Sequence, residues 1–532
     1  MSLLLAEFWL PDTTTLYRVG PGLCLLAGML SILLAPRPAS GQPPKLAFRI
    51  ALLASLSATA WNLCLAVYLP EGKFDLFAVA LPTGEPSPPL LVVDRFGAAA
   101  AALVTATLAA SLWLSAMLRD ARSPEYFVLL LGSTLGMSLL CGVEHILTLI
   151  VAIELASMPA YALAGFQRTS PAAEAAMKYA LFGACVAGFT AFGASLLFGL
   201  SGTLHIPTLV TRLAAADLGN TQYALLGAGL ALLSLGVLFK ISAVPAHFWC
   251  PDVFCGASLP IAAWLSVASK IGGLVVAVRL GAALADSDAL QYTATVLPMF
   301  TFSVAIVAAV TMTWANLAAY QQTDTRRLLA YSSIAQAGNI LALAALALRT
   351  SDGPTGSAGA LLQYAAIYLC MNVGAFAALA LVAVDSGQER VESFRGLGWR
   401  APVTAAALTV CLFGLVGLPP TGGFVAKFWA LAALSEGATL ARGAQASALW
   451  GLVFFVVLNT LLSLFYYVRI VREMYLSPPP DDAPAWRAPV GGRFLVAACA
   501  LFVLLLGTLF VNPLKRAADY VTASPSALVS RR

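Results

Sequence analysis

The sequence predicts an all-α integral membrane protein of about fourteen transmembrane helices, with two inverted five-helix repeats that contain broken helices. Three observations lead there. The 532 residues are 60% hydrophobic and only 10% charged, with a mean hydropathy of +0.86, whereas a soluble domain carries roughly 25% charged residues. Apolar stretches long enough to cross roughly 30 Å of hydrocarbon as helices recur from Leu16 to Val511. Two of these stretches are interrupted by proline, and each interruption has a lysine beside it.

Spans 16–36, 46–69 and 91–118 make an N-terminal three-helix segment within 1–122. Spans 125–142, 144–165, 173–200, 222–246 and 259–284 fill 123–290, the first repeat. Spans 293–317, 327–348, 358–384, 401–434 (interrupted) and 448–475 fill 291–476, the second repeat. Span 492–512 and a tail occupy 477–532. Glycine (42) and proline (30) fall inside these runs, which membrane helices tolerate when neighbours satisfy the freed backbone groups. The start, MSLLLAEFWLPD, has neither a basic region nor a small-residue cleavage site, so no signal peptide is expected.

An even number of spans puts both ends on one side. If that side is external, the cytoplasmic loops hold Arg37, Lys45, Arg49, Arg119, Arg122, Arg168, Arg326, Arg327, Arg390, Arg395, Arg400, Arg469, Arg472, Arg487 and Arg493. The external segments hold only Arg18, Lys73, Arg212, Arg279, Arg349 and Arg442. The asymmetry favours external ends, against which the tail sets Lys515, Arg516, Arg531 and Arg532. The basic residues lie singly in short loops, so the net charge of +5 does not signal nucleic acid. Nine cysteines are scattered through apolar segments without a CxxC or Cys/His metal spacing. They read as small buried hydrophobes, leaving iron–sulfur and haem chemistry without ligands.

Of seven lysines, Lys178, Lys240, Lys270 and Lys427 lie inside apolar spans, and Glu154 sits in LIVAIELASMPAY. Each such charge costs about 2.5–3.5 kcal/mol at a helix centre, so together they cost roughly 12–17. Stability gives no reason for that expense. A snorkelling side chain or a fixed ion pair is the plainer reading, with most weight at Lys178, which stands nearest a span end. The functional reading is a relay, because an amine in hydrocarbon holds its proton loosely. A carboxylate about 7 Å away adds roughly 2.4 kcal/mol at an effective dielectric near 20, enough to switch the amine between holding and releasing.

The interruptions support the relay. Lys240 precedes Pro245 in VLFKISAVPAHFWCPDVFCG, where His247 and Asp252 follow, and Pro419 and Pro420 precede Lys427 in GLVGLPPTGGFVAKFW. Interrupted helices in matching halves of a chain point to an ion path. A weak repeat aligns Lys178-Tyr179 with Gln363-Tyr364, Cys185 with Cys370, and Ser201-Gly202 with Ser386-Gly387. At a slightly longer offset Lys240 falls on Lys427, while Glu154 falls near Asn339, so the second copy lacks the acid. Lys270, with His247, is then expected to link the two halves.

The stretches IELASMPAYALAGFQR, AAEAAMKYALFGA, LFKISAVPAHFWCPDVFCGAS, SVASKIGG, TDTRRLLAYSSIAQAG, YLCMNVGAFA and GLPPTGGFVAKFW resemble, in order, the antiporter-like subunits of respiratory complex I, NADH-quinone oxidoreductase. The likeness covers about residues 90–475 and is nearest to subunit N, on two grounds. Lys427 stands where subunit M carries glutamate, and the chain ends without the lateral helix of subunit L. The resemblance implies a proton path through Glu154, Lys240, Lys270 and Lys427, with Lys178 and His247 in support. It implies no cofactor in this chain, and NADH, FMN, iron–sulfur clusters and quinone in partner subunits. The implied partners are neighbouring antiporter-like and small membrane subunits, together with lipid. The implied location is a bacterial inner (cell) membrane, with both termini periplasmic.

Two departures qualify it. Cys255 and Ser258 stand where the family has a glutamate or glutamine and a proline, and the WLSVASK approach to Lys270 is as close to photosynthetic relatives. The electron donor therefore stays open between NADH and ferredoxin. Two further readings also remain open. One is a subunit of a cation/proton antiporter or membrane-bound hydrogenase. The other is a scaffold whose buried charges are fixed pairs.

Overall fold

The computed structural model describes residues 13–37, 43–70, 72–76, 88–118, 123–216, 218–285, 290–346, 349–350, 353–354, 357–479, 486 and 488–522. Both chain ends and the loop arginines Arg119, Arg122, Arg487, Arg531 and Arg532 lie outside the described residues.

The chain opens with α1 (Thr13–Leu34), α2 (Lys45–Tyr68) and α3 (Arg95–Leu118). A small antiparallel hairpin, β1 (Phe74–Leu76) with β2 (Leu91–Val93), sets Asp75 opposite Val92 between α2 and α3. Next come α4 (Pro124–Leu140), α5 (Ile146–Ala164), α6 (Ser170–Ser201), α7 (Ile206–Ala215), α8 (Asn220–Ile241), α9 (Trp249–Gly256) and α10 (Leu259–Ala285). The second part has α11 (Leu290–Tyr320), α12 (Thr325–Ala344), the two-residue strands β3 (Arg349–Thr350) and β4 (Gly353–Pro354), and α13 (Ser357–Ser386). A 3-10 turn over Val391–Phe394 leads to α14 (Leu397–Arg400), α15 (Pro402–Val416), α16 (Gly422–Leu440) and α17 (Gly443–Tyr475). The last helices are α18 (Val490–Thr508) and α19 (Val511–Thr522).

Eleven of these helices are long and apolar enough to cross a membrane. Every expected span falls on one helix or, at α15–α16, on a broken pair, and span 222–246 covers α8 but stops short of α9. The centre is α10, whose apolar length is wholly buried and which packs on α3, α4, α8, α12 and α13. The outer faces carry exposed Leu33, Leu53, Met158, Phe192, Phe454 and Phe465, as suits a bundle whose solvent is hydrocarbon. Cys64 and Cys185 are on such faces, not buried as the sequence reading had them.

The same local structure occurs twice. Ile146 and Ile206 donate to the carbonyls of Leu204 and Glu144, bridging the start of α5 to the chain after α6. Thr325 and Val391 donate to Glu389 and Thr323, bridging the start of α12 to the chain after α13 in the same way. Both α6 and α13 end in Ser-Gly with the glycine at φ 67. Each serine hydroxyl donates four residues back, Ser201 to Leu197 and Ser386 to Val382. Left-handed glycine satisfies the last helical carbonyls without a Cβ clash.

The breaks also match, and they correct two expectations. Span 222–246 does not kink at Pro245 but stops at Ile241, where Ser242 turns left-handed at φ 60. The residue before a proline resists helical geometry, so the chain leaves the helix early. α15 likewise stops at Val416 with Gly417 at φ 90. In both, the next amide reaches back five residues, Ala243 to Leu238 and Leu418 to Phe413. The two helix ends therefore share one turn geometry, at Ser242 and at Gly417. Lys240 stands before its break while Lys427 stands after, so these two lysines are not equivalent positions.

Candidate functional site

Three lysines are held inside the bundle, with exposures of 1% for Lys240, 0% for Lys270 and 5% for Lys427. Lys240, in the last turn of α8, donates to the Ser157 hydroxyl of α5 at 3.0 Å, and Ser157 donates to Ile153 O at 2.6 Å. Ser157 is one turn beyond Glu154, which faces the same side of α5. Glu154 itself is half-buried and lines a pocket with Tyr161, Thr190 and Phe239. It acts on Lys240 through space and makes no ion pair with it. The expected carboxylate–amine pair therefore makes no direct contact, and the hydroxyl that Lys240 bonds is that of Ser157.

Lys270 on α10 donates to the hydroxyl of Ser242, the left-handed residue of the first break, at 3.2 Å. The rings of Trp249 and Phe254 on α9 face its ammonium at 5.8 and 5.4 Å, within cation–π reach. Trp249 stacks on Tyr179 at 4.2 Å and donates to Phe239 O at 3.0 Å, which ties α9 to α6 and α8. Lys240 and Lys270 lie within electrostatic reach of each other. The break therefore gathers two amines and two hydroxyls in an otherwise apolar core.

A polar strip continues to the third lysine. Cys250 of α9 meets the Ser333 hydroxyl of α12 at 3.9 Å, and the adjacent Ser332 bonds Tyr467 of α17. Tyr467 reaches Gln336, which accepts from Tyr364 at 2.6 Å and donates to Leu415 O at 2.8 Å. Lys427 donates to the neighbouring Val416 O at 2.8 Å and to Thr460 at 3.3 Å. Carbonyls at the end of a helix have no partner within it and carry partial negative charge, so an ammonium fits there. On α17, Asn459 accepts from Asn316, which accepts from Tyr466 at 2.9 Å.

Gln336, Tyr364, Tyr467 and Thr460 were not foreseen. A signal existed: Ser332, Ser333, Gln336 and Asn339 in SSIAQAGN recur at helical spacing and mark one polar face of α12.

Two expected supports stand elsewhere. Lys178 is 37% exposed and pairs with Glu174 at 2.8 Å and Asp252 at 2.9 Å, and Asp252 also binds Arg327 at 3.1 Å. That is an ion cluster at the edge of α6, α9 and α12. His247 packs on Phe248 at 4.3 Å and Trp314 at 6.3 Å, and its buried Nδ1 has no protein partner. Pro245 lies in the first break, and Pro419 and Pro420 lie in the second.

Comparison with known proteins gives this arrangement a family. The family model described as "NADH:quinone oxidoreductase/Mrp antiporter, TM" matches residues 144–461, which include both breaks and all three buried lysines. The chain belongs to this family. Within it, NADH-quinone oxidoreductase subunit N of Anaeromyxobacter sp. (strain Fw109-5) is 37% identical over 399 residues, covering 73% of this chain and 75% of the relative. NADH-quinone oxidoreductase subunit N 2 of Sorangium cellulosum (strain So ce56) is 38% identical over 413 residues, covering 76% and 77%. A chain of respiratory complex I from Thermus thermophilus with bound aureothin superposes with a TM-score of 0.69 at 27% identity, covering 93% of this chain and 98% of that one. The resemblance to subunit N read from the motifs holds in these family members, and the all-helical membrane fold holds with it.

Proposed function

We propose that the chain is the proton-translocating, N-type membrane subunit of an NADH-quinone oxidoreductase. The observation that carries this reading is the run of three buried lysines, each on a hydroxyl or a helix-end carbonyl, joined across both breaks by polar side chains. Fixed ion pairs would pair each ammonium with a carboxylate. Here the acceptors are neutral, so each amine keeps its proton only against the cost of burial. Glu154, Lys240, Lys270 and Lys427 form the relay, with Ser157 and Ser242 handing the proton on. Lys178 serves the ion cluster, and His247 lies beside the path.

The doubled bridges and breaks support two repeats, 123–290 and 291–476, set between an N-terminal segment 1–122 and a final helix and tail in 477–532. Five crossings between equivalent points invert one repeat against the other. Fourteen crossings in a bacterial inner membrane leave both termini periplasmic. Redox groups and quinone belong to partner subunits, whose chemistry supplies the driving force, and other membrane subunits cover the outer faces.

The test is proton pumping by inverted membrane vesicles, normalised to NADH:quinone reductase activity. Lys240→Ala and Lys270→Ala in an assembled complex are expected to abolish most acidification. Unchanged pumping in both would leave a scaffold as the function.

A further inference from the structure

The half-helix α9 is eight residues long and is followed within three residues by α10. A helix this short has little stability of its own, so its position depends on what grips it. Its apolar side carries Trp249, Cys250 and Phe254, all buried, and two of these form the aromatic wall beside Lys270. Its polar side carries Asp252. That carboxylate holds Lys178 of α6 with Oδ2 and Arg327 of α12 with Oδ1, at 2.9 and 3.1 Å. One acid thus joins an element of the first half to an element of the second.

The remaining charges around α9 leave Asp252 as the central anion. From α6 come Glu174 and Lys178, and from the start of α12 come Asp324, Arg326, Arg327 and Tyr331. Glu174 spends itself on Lys178, and Glu389 pairs with Arg326. Asp324 caps α12 by accepting from the Arg327 amide at 2.9 Å. Arg326 donates to Ala257 O at 2.6 Å and so fixes the far end of α9. From α10 only Lys270 faces the half-helix, on its other side. Without the Asp252 charge, Lys178 and Arg327 would face α9 as two cations with no anion on it between them.

We propose that Asp252 is the positioning residue of the first break, clamping α9 between Lys178 and Arg327 so that Trp249 and Phe254 stay against Lys270. The inference rests on the relay reading for its consequence, since the wall it positions surrounds a relay amine.

Cys250 reports the position of α9 without reference to proton movement. It is fully buried, whereas Cys255 on the same helix is partly exposed and serves as the internal control. Membranes holding the assembled complex are treated with N-ethylmaleimide, and the two cysteines are followed by peptide mass spectrometry. Asp252→Asn is expected to speed Cys250 alkylation about tenfold relative to Cys255, and Asp252→Glu to return it within about twofold of the parent rate. If Asp252→Asn does not accumulate, Lys178→Gln combined with Arg327→Gln releases the same clamp and should expose Cys250 equally. Protection of Cys250 in an assembled Asp252→Asn or double variant overturns the proposal, as does Asp252→Glu behaving like Asp252→Asn. Loss of the relay reading would show instead as intact pumping in Lys240→Ala and Lys270→Ala, with the alkylation result unaffected.

Discussion

Gln336 and Lys427 hold adjacent carbonyls of one helix end: the carboxamide takes Leu415 O and the ammonium takes Val416 O, each at 2.8 Å. Helix α12 therefore reaches the same stub of α15 that seats the third buried amine.

Replacing Gln336 with leucine removes the donor to Leu415 O and the acceptor for Tyr364. Each buried polar group left without a partner costs about 1–3 kcal/mol. The assembled complex is expected to lose several degrees of thermal stability and to pump more slowly, measured by light-scattering melts and vesicle acidification. A variant that melts and pumps like the parent would remove Gln336 from the network.

Ser157→Ala deprives Lys240 of its hydroxyl partner. Hydrogen bonds to charged groups are worth about 1.5–3 kcal/mol, so the protonated amine becomes that much harder to form. Pumping per electron pair should fall roughly tenfold while Ser157→Thr keeps most of it. Equal loss in both variants would mean that volume, not the hydroxyl, is what matters.

A β-carbon on Gly423 would lie 1.8 Å from Gly414 O, because α16 crosses the end of α15 in near contact. Gly423→Ala must push the two halves of the broken helix apart, at a cost of roughly 1–3 kcal/mol. Lower membrane levels of the complex are expected on immunoblots. Phe424→Ala alters an exposed neighbour and should accumulate normally.

His205 sits at the bridge between α5 and α7, with Nε2 at 3.9 Å from Glu144. Burial pushes its imidazole below the ordinary 6.5, and Glu144 and Asp75 oppose that shift without cancelling it. A base depressed by folding is neutral in the folded state, so its full contribution is present above 6.5 and is lost as the pH falls through the depressed value. Melting temperature should therefore drop on acidification below 6.5 more steeply in the parent than in His205→Asn. Parallel pH curves for the two would count against it.

Much of the bundle was legible because hydrocarbon imposes one rule, a long apolar helix with its backbone satisfied internally. That rule placed helices where the apolar stretches run and exposed Lys240, Lys270 and Lys427 as anomalies. It does not reveal which small polar residue lies beside an anomaly. Ser157 and Ser242 look ordinary in sequence, since serine is at home inside membrane bundles. Their roles come from a tertiary approach that no spacing along the chain encodes. At Lys178 the plainer reading of a fixed ion pair agrees with the structure, but its partner Asp252, 74 residues away in sequence, comes from a tertiary approach. The Lys240–Lys427 alignment matches residue types, whereas the two helix ends match in backbone geometry and have these lysines on opposite sides.

Where α15 ends, its carbonyls form a pole that favours any small cation. In this chain the pole is filled by an ammonium on a covalent stem. In the relay proposed above, an alkali ion seeking that seat would meet a charge that diffusion cannot carry away, and what the seat would surrender is a hydrogen nucleus. Selectivity at this point then follows from attachment, with no need for a pore that sorts ions by size.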